Sequence, residues 1–262
     1  MNLYFKNRSG WCFIQLIICD VFVSNSSAGN PSGVVELEYW LCDDDLLQLA
    51  RRINQPVTAF VVSLSGDFHI RWFALAGEIN LCGHGSLAAG AVMLDRYFMT
   101  HITFHSQYGN VTISKEGNLY SLVLPSWSGN FPAKNESGLR LPCEFIDIFS
   151  TRDLVVVLPS VEAVISYTPN YEEISKMNHH HALMVTGQDG NSGYVLRYFA
   201  PKIGIDEDLA TGSAQCSLAP YWFNKLAKER LAVNQLSHTG GYFEVERLSD
   251  QQIKLLAQVT FR

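Results

Sequence analysis

The strongest constraint on the fold is a plan that occurs twice. Residues 71–94 read RWFALAGEINLCGHGSLAAGAVML, and residues 196–222 read LRYFAPKIGIDEDLATGSAQCSLAPYW. Each has a strand pattern ending in aromatic-Phe-Ala, a loop carrying an acid, a Gly-Ser turn and a run of small residues suited to a helix. The Gly-Ser pairs, 85–86 and 212–213, lie about half the chain apart. A repeat at that spacing predicts two similar domains from an old duplication, placed at 1–124 and 125–262.

The chain is long enough for two such domains. Its 262 residues are 47% hydrophobic and 17% charged, an ordinary globular composition with ample material for a core. Nineteen basic against twenty-five acidic residues give a formal charge of −6. Without a Lys/Arg cluster, a nucleic-acid partner is not expected. The six cysteines, Cys12, Cys19, Cys42, Cys82, Cys143 and Cys216, form no C-x-x-C pair. They are expected as reduced thiols in a cytoplasmic protein. The N-terminal apolar run from Phe13 to Val23 is broken by Gln15 and Asp20 and is too short to span a membrane.

Periodicity fills in the elements. Gln15 to Val23 predicts a strand, and Asn30-Pro31 resembles a helix start, with Asn as cap and Pro in the first turn. CDDDLLQLARRI predicts a short helix, with acids at its start and Arg51 and Arg52 at its end. TAFVVSL and FHIRWFAL predict a hairpin turning at Ser65-Gly66. A helix is expected over Ser86 to Tyr97, then three strands with turns at Gly109-Asn110 and Gly117-Asn118. In the second half DLVVVL and AVISY read as strands and PNYEEISKM as a helix. HALMVTG and SGYVLRYFAP flank a QDGN turn. A helix follows from Ser213, of length left open by Pro220, and the chain closes on further strands.

The two Gly-Ser helix starts are where chemistry is expected. Unpaired N–H groups at a helix start hold anions, and small residues let a ligand approach. Gly85, Ser86, Gly212 and Ser213 are therefore candidates to hold a carboxylate. His84 and Asp208 precede the two starts and could pass protons. Cys82 could act as a nucleophile or base if a helix start stabilised its thiolate. Glu78 and Asp206 are loop carboxylates. His179-His180-His181 cannot all face one point and has no partner at ligand spacing, so no metal site is expected. Neither Gly83-His84-Gly85 nor Gly187 to Gly193 matches a nucleotide-binding pattern.

Taken together, DVFVSNSSAGNPSGVVEL, NQPVTAFVV, LCGHGSLAAG and FAPKIGIDEDLATGSAQCSLAPYW, in this order and spacing, resemble the phenazine-biosynthesis PhzF family. Residues 1–13 look like an N-terminal extension. The resemblance implies an α+β fold shared with diaminopimelate epimerase and proline racemase. In it, two pseudo-symmetric domains each wrap a mostly antiparallel, barrel-like sheet around a central helix, with a small anionic metabolite between them. It also implies an isomerase that moves a proton between carbons, a homodimer, and no metal or organic cofactor. Carried over by position, the family's histidine falls on His84, its aspartate on Asp208, its serine on Ser213 and its G-N-P asparagine on Asn30. The family's glutamate, in a block like N-L-S-E-T-A-F-V, falls on Val57, which can neither take nor give a proton. The paired thiols of proline racemases are matched only at Cys82. Two readings follow: an isomerase whose base is reassigned among His84, Asp208, Glu78 and Cys82, or a non-catalytic relative that binds a small anion or a protein.

Overall fold

The β-branched runs form strands, and their pairing follows one order twice. The computed structural model describes residues 2–7, 10–80, 82–131, 139–141 and 144–262. They fall into two units, residues 1–123 with 256–262, and residues 124–255. The first unit contains β1 (Asn2–Asn7), β2 (Gly10–Val23), β3 (Asn30–Leu37), α1 (Asp43–Ile53), β4 (Val57–Leu64), β5 (Asp67–Ala74), β6 (Gly77–Ile79), α2 (Gly83–Arg96), β7 (His101–Ser106), β8 (Gly109–Glu116) and most of β9 (Leu119–Pro125). The second contains β10 (Asp147–Ser150), β11 (Leu154–Val157), α3 (Val161–Ser166), α4 (Tyr171–Ser175), β12 (Leu183–Asp189), β13 (Gly193–Phe199), α5 (Gln215–Leu226), β14 (Arg230–Gln235), β15 (Gly241–Arg247) and the start of β16 (Gln252–Phe261).

In the first unit β2/β3 is antiparallel, β3/β4 parallel, β4/β5 antiparallel, β5/β7 parallel and β7/β8 antiparallel. In the second, β10/β11, β11/β12, β12/β13, β13/β14 and β14/β15 repeat that alternation. A parallel neighbour cannot be reached by a tight turn, so each parallel step is bridged by helix: α1, α2, α3 with α4, and α5. This is an α+β fold of two pseudo-symmetric halves.

Each half is built round one helix. The small residues of α2 leave it buried from Gly85 to Leu94, and it packs on β2, β3, β4, β7 and β8. Gly90 sets how close it comes: a Cβ there would lie 2.5 Å from Ile113 Cγ2 and 2.7 Å from Ile113 Cβ. Gly90→Ala is therefore expected to lower stability by about 1–2 kcal/mol, overpacking outweighing the gain in helix propensity. Chemical denaturation reads this directly, and an unchanged midpoint would contradict it. In α5, Pro220 deprives the Cys216 carbonyl of its helical donor, and the Trp127 N–H takes that carbonyl at 2.8 Å. The helix thus runs unbroken past Pro220. Trp222 stacks on Tyr194 at 5.6 Å, and its indole N–H donates to Thr186 Oγ1 at 3.0 Å.

Several expectations are corrected. Asn30-Pro31 starts a strand, not a helix. The β3/β4 ladder begins at Ser32↔Val57, so the missing Pro31 N–H falls outside it. AVISY is not a strand: Ser160 caps α3 by accepting from the Ala163 N–H at 3.2 Å, which selects helix over the β-branched alternation. The turn before β8 is Gln107-Tyr108, with Gly109 and Asn110 inside the strand, and the turn after β12 falls at 190–192. Residues 256–262, expected in the second domain, belong to the first because the far half of β16 pairs with β2. Residues 2–7 of the expected extension pair along β2. The Ser65-Gly66 turn forms as expected, with φ of 53° and 95° suited to a two-residue hairpin. Among the described residues Cys19, Cys42, Cys82 and Cys216 form no disulfide, while Cys143 and the side chain of Cys12 lie outside the described residues. Among the described residues no helix is long and apolar enough to cross a membrane.

Candidate active site

The register of the first unit gathers candidate residues on one sheet face. Pairing sets Asn30 opposite Val21, Ser32 opposite Val57, and Ala59 opposite Trp72. Side chains alternate along a strand, so Asn30, Ser32, Val57 and Trp72 share the face that α2 covers. The contact is close at Gly85. A Cβ there would lie 3.0 Å from Trp72 Cδ1, 3.3 Å from Val57 Cγ1 and 3.4 Å from Cys82 Sγ. Val57 therefore sits against the first turn of α2. Asn30, Val57, Gly85 and Ser86 are all buried.

Helix α2 begins at Gly83, three residues before the expected Ser86, because Cys82 caps it. Cys82 Sγ accepts the Gly85 N–H at 3.3 Å, and the Cys82 carbonyl accepts the Ser86 N–H at 2.9 Å and the Ser86 hydroxyl at 2.7 Å. His84 Nδ1 lies 3.2 Å from Cys82 Sγ. A neutral imidazole can accept from a thiol or donate to a thiolate there by changing tautomer. A helix start, a backbone N–H and a polar neighbour all meet at the Cys82 sulfur. Burial pushes the thiols of Cys19 and Cys216 up to about 12, so these two are inert.

His84 is half-exposed as a residue, but its Nε2 is shielded and has no hydrogen-bond partner among the described residues. Burial lowers its pKa from 6.5 to about 4, so the ring is neutral near pH 7. Between those two values the unfolded chain binds the proton and the folded chain does not. Stability is therefore expected to fall by about 2–3 kcal/mol as pH drops from 7 to 4.5. Urea denaturation at both pH values, compared with His84→Gln, isolates the effect. An equal pH loss in the variant would remove His84 as its source.

Glu78 is not brought to this group. It pairs directly opposite Phe73, on the other face of β5 from Trp72. Both its oxygens are engaged by Arg71, at 2.8 and 2.5 Å, and Arg71 also reaches Asp43 at 2.8 Å. Glu78, expected in a loop, lies in the short strand β6. The pleat decided which face it took.

The second unit holds Asp208 in a polar cluster. Its Oδ2 accepts the Thr211 hydroxyl at 2.6 Å, and its N–H donates to the Tyr198 carbonyl at 3.0 Å. Gln235, buried, accepts the Thr211 N–H at 2.8 Å and donates to the Asp208 carbonyl at 2.8 Å. Gly212 and the half-exposed Ser213 form a short 3-10 turn leading into α5. Asp206 is exposed. Thr211 and Gln235 were not singled out from sequence. The Asp-x-x-Thr spacing could have flagged Thr211, but Gln235 lies on another strand and carries no local signal.

The sequence profile of the phenazine biosynthesis-like proteins (PhzC-PhzF) matches residues 19–125 and 130–255. An uncharacterized isomerase from Vibrio cholerae serotype O1 is 57% identical over 97% of this chain and 91% of its own. A phenazine biosynthesis protein of the PhzF family from Enterococcus faecalis is 30% identical and superposes with a TM-score of 0.86, over 95% of this chain and 96% of its own. A hydroxyproline epimerase from Agrobacterium vitis, 12% identical, shares the fold at a TM-score of 0.55 over 95% of this chain and 90% of its own.

Proposed function

Because this chain belongs to the phenazine biosynthesis-like (PhzC-PhzF) family, we propose that it is an isomerase moving a proton on a small carboxylate-bearing metabolite, with Cys82 as the base. The observation that carries the reading is the Cys82–His84 contact of 3.2 Å at the start of α2, beside Val57. The Cys82 thiolate takes a proton from a carbon next to the substrate carbonyl group and becomes the thiol. The electron pair moves onto the substrate oxygens, which the α2 start stabilises. The Cys82 thiol delivers that proton to a second carbon, which completes the isomerisation and restores the thiolate. Neutral His84 holds the sulfur in both states. Asn30, Gly85 and Ser86 are assigned to binding and Val57 to the apolar wall. Asp208, Gly212 and Ser213 are the second unit's own candidates, Asp208 for proton transfer and the other two for holding an anion.

The relatives support an isomerase: the Vibrio cholerae protein carries that description at 57% identity. A second reading, binding without turnover, is favoured by Val57 alone. A screen of small amino and hydroxy acids in heavy water, read by mass, separates the two. Deuterium incorporation supports the isomerase. A ligand detected by calorimetry that incorporates none supports the binder and removes the isomerase.

A further inference from the structure

The geometry points to the indole N–H of Trp72 as a donor to the ligand's carboxylate, acting together with the first turn of α2. Trp72 is wholly buried, and its Nε1 has no hydrogen-bond partner among the described residues. Buried indole N–H groups ordinarily find an acceptor, so an orphaned one calls for an explanation. Among the described residues its surroundings supply none. The atom bonded to Nε1, Cδ1, is the indole atom nearest Gly85, only 3.0 Å from where a Cβ would stand. The pyrrole edge therefore faces the helix start. The other groups closest to that point are a methyl of Val57 and the Cys82 sulfur, neither of them an oxygen acceptor.

The same turn has room on its open side, since a Cβ on Gly83 would meet nothing within 4 Å. His84 Nε2, one residue on, is a second buried nitrogen lacking a partner among the described residues. A helix start and an orphaned indole donor beside it are together matched by a planar anion with two oxygens, which is a carboxylate. Trp72 is thus a binding residue. It fixes the carboxylate's orientation and, through it, the carbon presented to Cys82. The inference rests on the isomerase reading only for the ligand being a carboxylate.

The test uses the whole chain with indole-15N tryptophan and labelled backbone, and formate as the probe at constant ionic strength. The chain has five tryptophans, and the Trp72 indole signal is the one lost in Trp72→Phe. Formate is expected to move that signal downfield saturably, in step with the Gly83–Gly85 amides. Trp72→Phe keeps a ring but removes the N–H. It is expected to weaken formate binding by roughly 10- to 100-fold, the loss of one hydrogen bond to a charged group. The four remaining indole signals report whether the variant is folded. If the amides respond and the Trp72 indole does not, Trp72 is not a ligand donor, while the carboxylate-binding helix start stands. If neither responds, the carboxylate reading of this half-site fails as well. Should Trp72→Phe not keep its fold, the indole response of the unaltered protein decides, the Trp72 signal being assigned through its through-space contacts with the Gly85 amide and the Val57 methyls.

Discussion

Cys82→Ala is expected to lower solvent-proton exchange on a turned-over substrate by roughly 10²–10⁴-fold, the usual contribution of a positioned general base. The sulfur, a group with proton-transfer chemistry, stands at the contact point of Gly85 with Val57. It is also the cap of α2, so the variant should lose roughly 0.5–2 kcal/mol of stability through the orphaned Gly85 N–H. Activity must therefore be measured per folded molecule. Cys82→Ser preserves a capping oxygen and separates the two effects. It should recover most of the stability and little of the exchange, because a hydroxyl is far harder to ionise than a thiol. If Cys82→Ala, folded, exchanges protons as fast as the unaltered protein, Cys82 is not the base.

Val57→Glu in the Cys82→Ala background is expected to restore at least about tenfold of the lost exchange, a carboxylate taking over the thiolate's task. Val57 is 5% exposed, and a lone carboxylate buried there would be costly. Two features offset that cost. The first turn of α2 presents the positive end of its dipole. The Trp72 N–H, without an acceptor among the described residues, lies beside the new side chain. The exchange rate of the double variant, set against Cys82→Ala alone, reads the outcome. A folded double variant no faster than the single one would mean that the rest of the site is not arranged for a carboxylate base at position 57.

Both predictions depend on facts that differ in how far the sequence exposes them. The Cys82-x-His84 spacing at a helix start is local, and one turn of helix suffices to bring Sγ and Nδ1 together. The duplication is likewise legible, because each half repeats the same string of side-chain sizes. The strands built on β-branched alternation were equally plain, save where a capping Ser160 turned AVISY into helix. Glu78 was assigned to the chemistry because the repeat predicts it in an acid-bearing loop. It took the far face with Arg71, since a one-residue offset in the pleat reverses direction. Trp72, inside the apolar run FHIRWFAL, is wholly buried. Only the absence of an acceptor, which depends on what stands opposite, gives it another meaning.

The sequence by itself determined the two-fold plan, the family and the helix starts. These are set by short-range periodicity, capping and the order of blocks along the chain. The tertiary structure decided which candidates meet. Strand register put Val57, Trp72 and Cys82 around Gly85 and sent Glu78 to Arg71, and a strand 24 residues on brought Gln235 to Thr211. The physical reason is that a side chain's direction is inherited from its strand's neighbours, and neighbours in a sheet are chosen by long-range pairing.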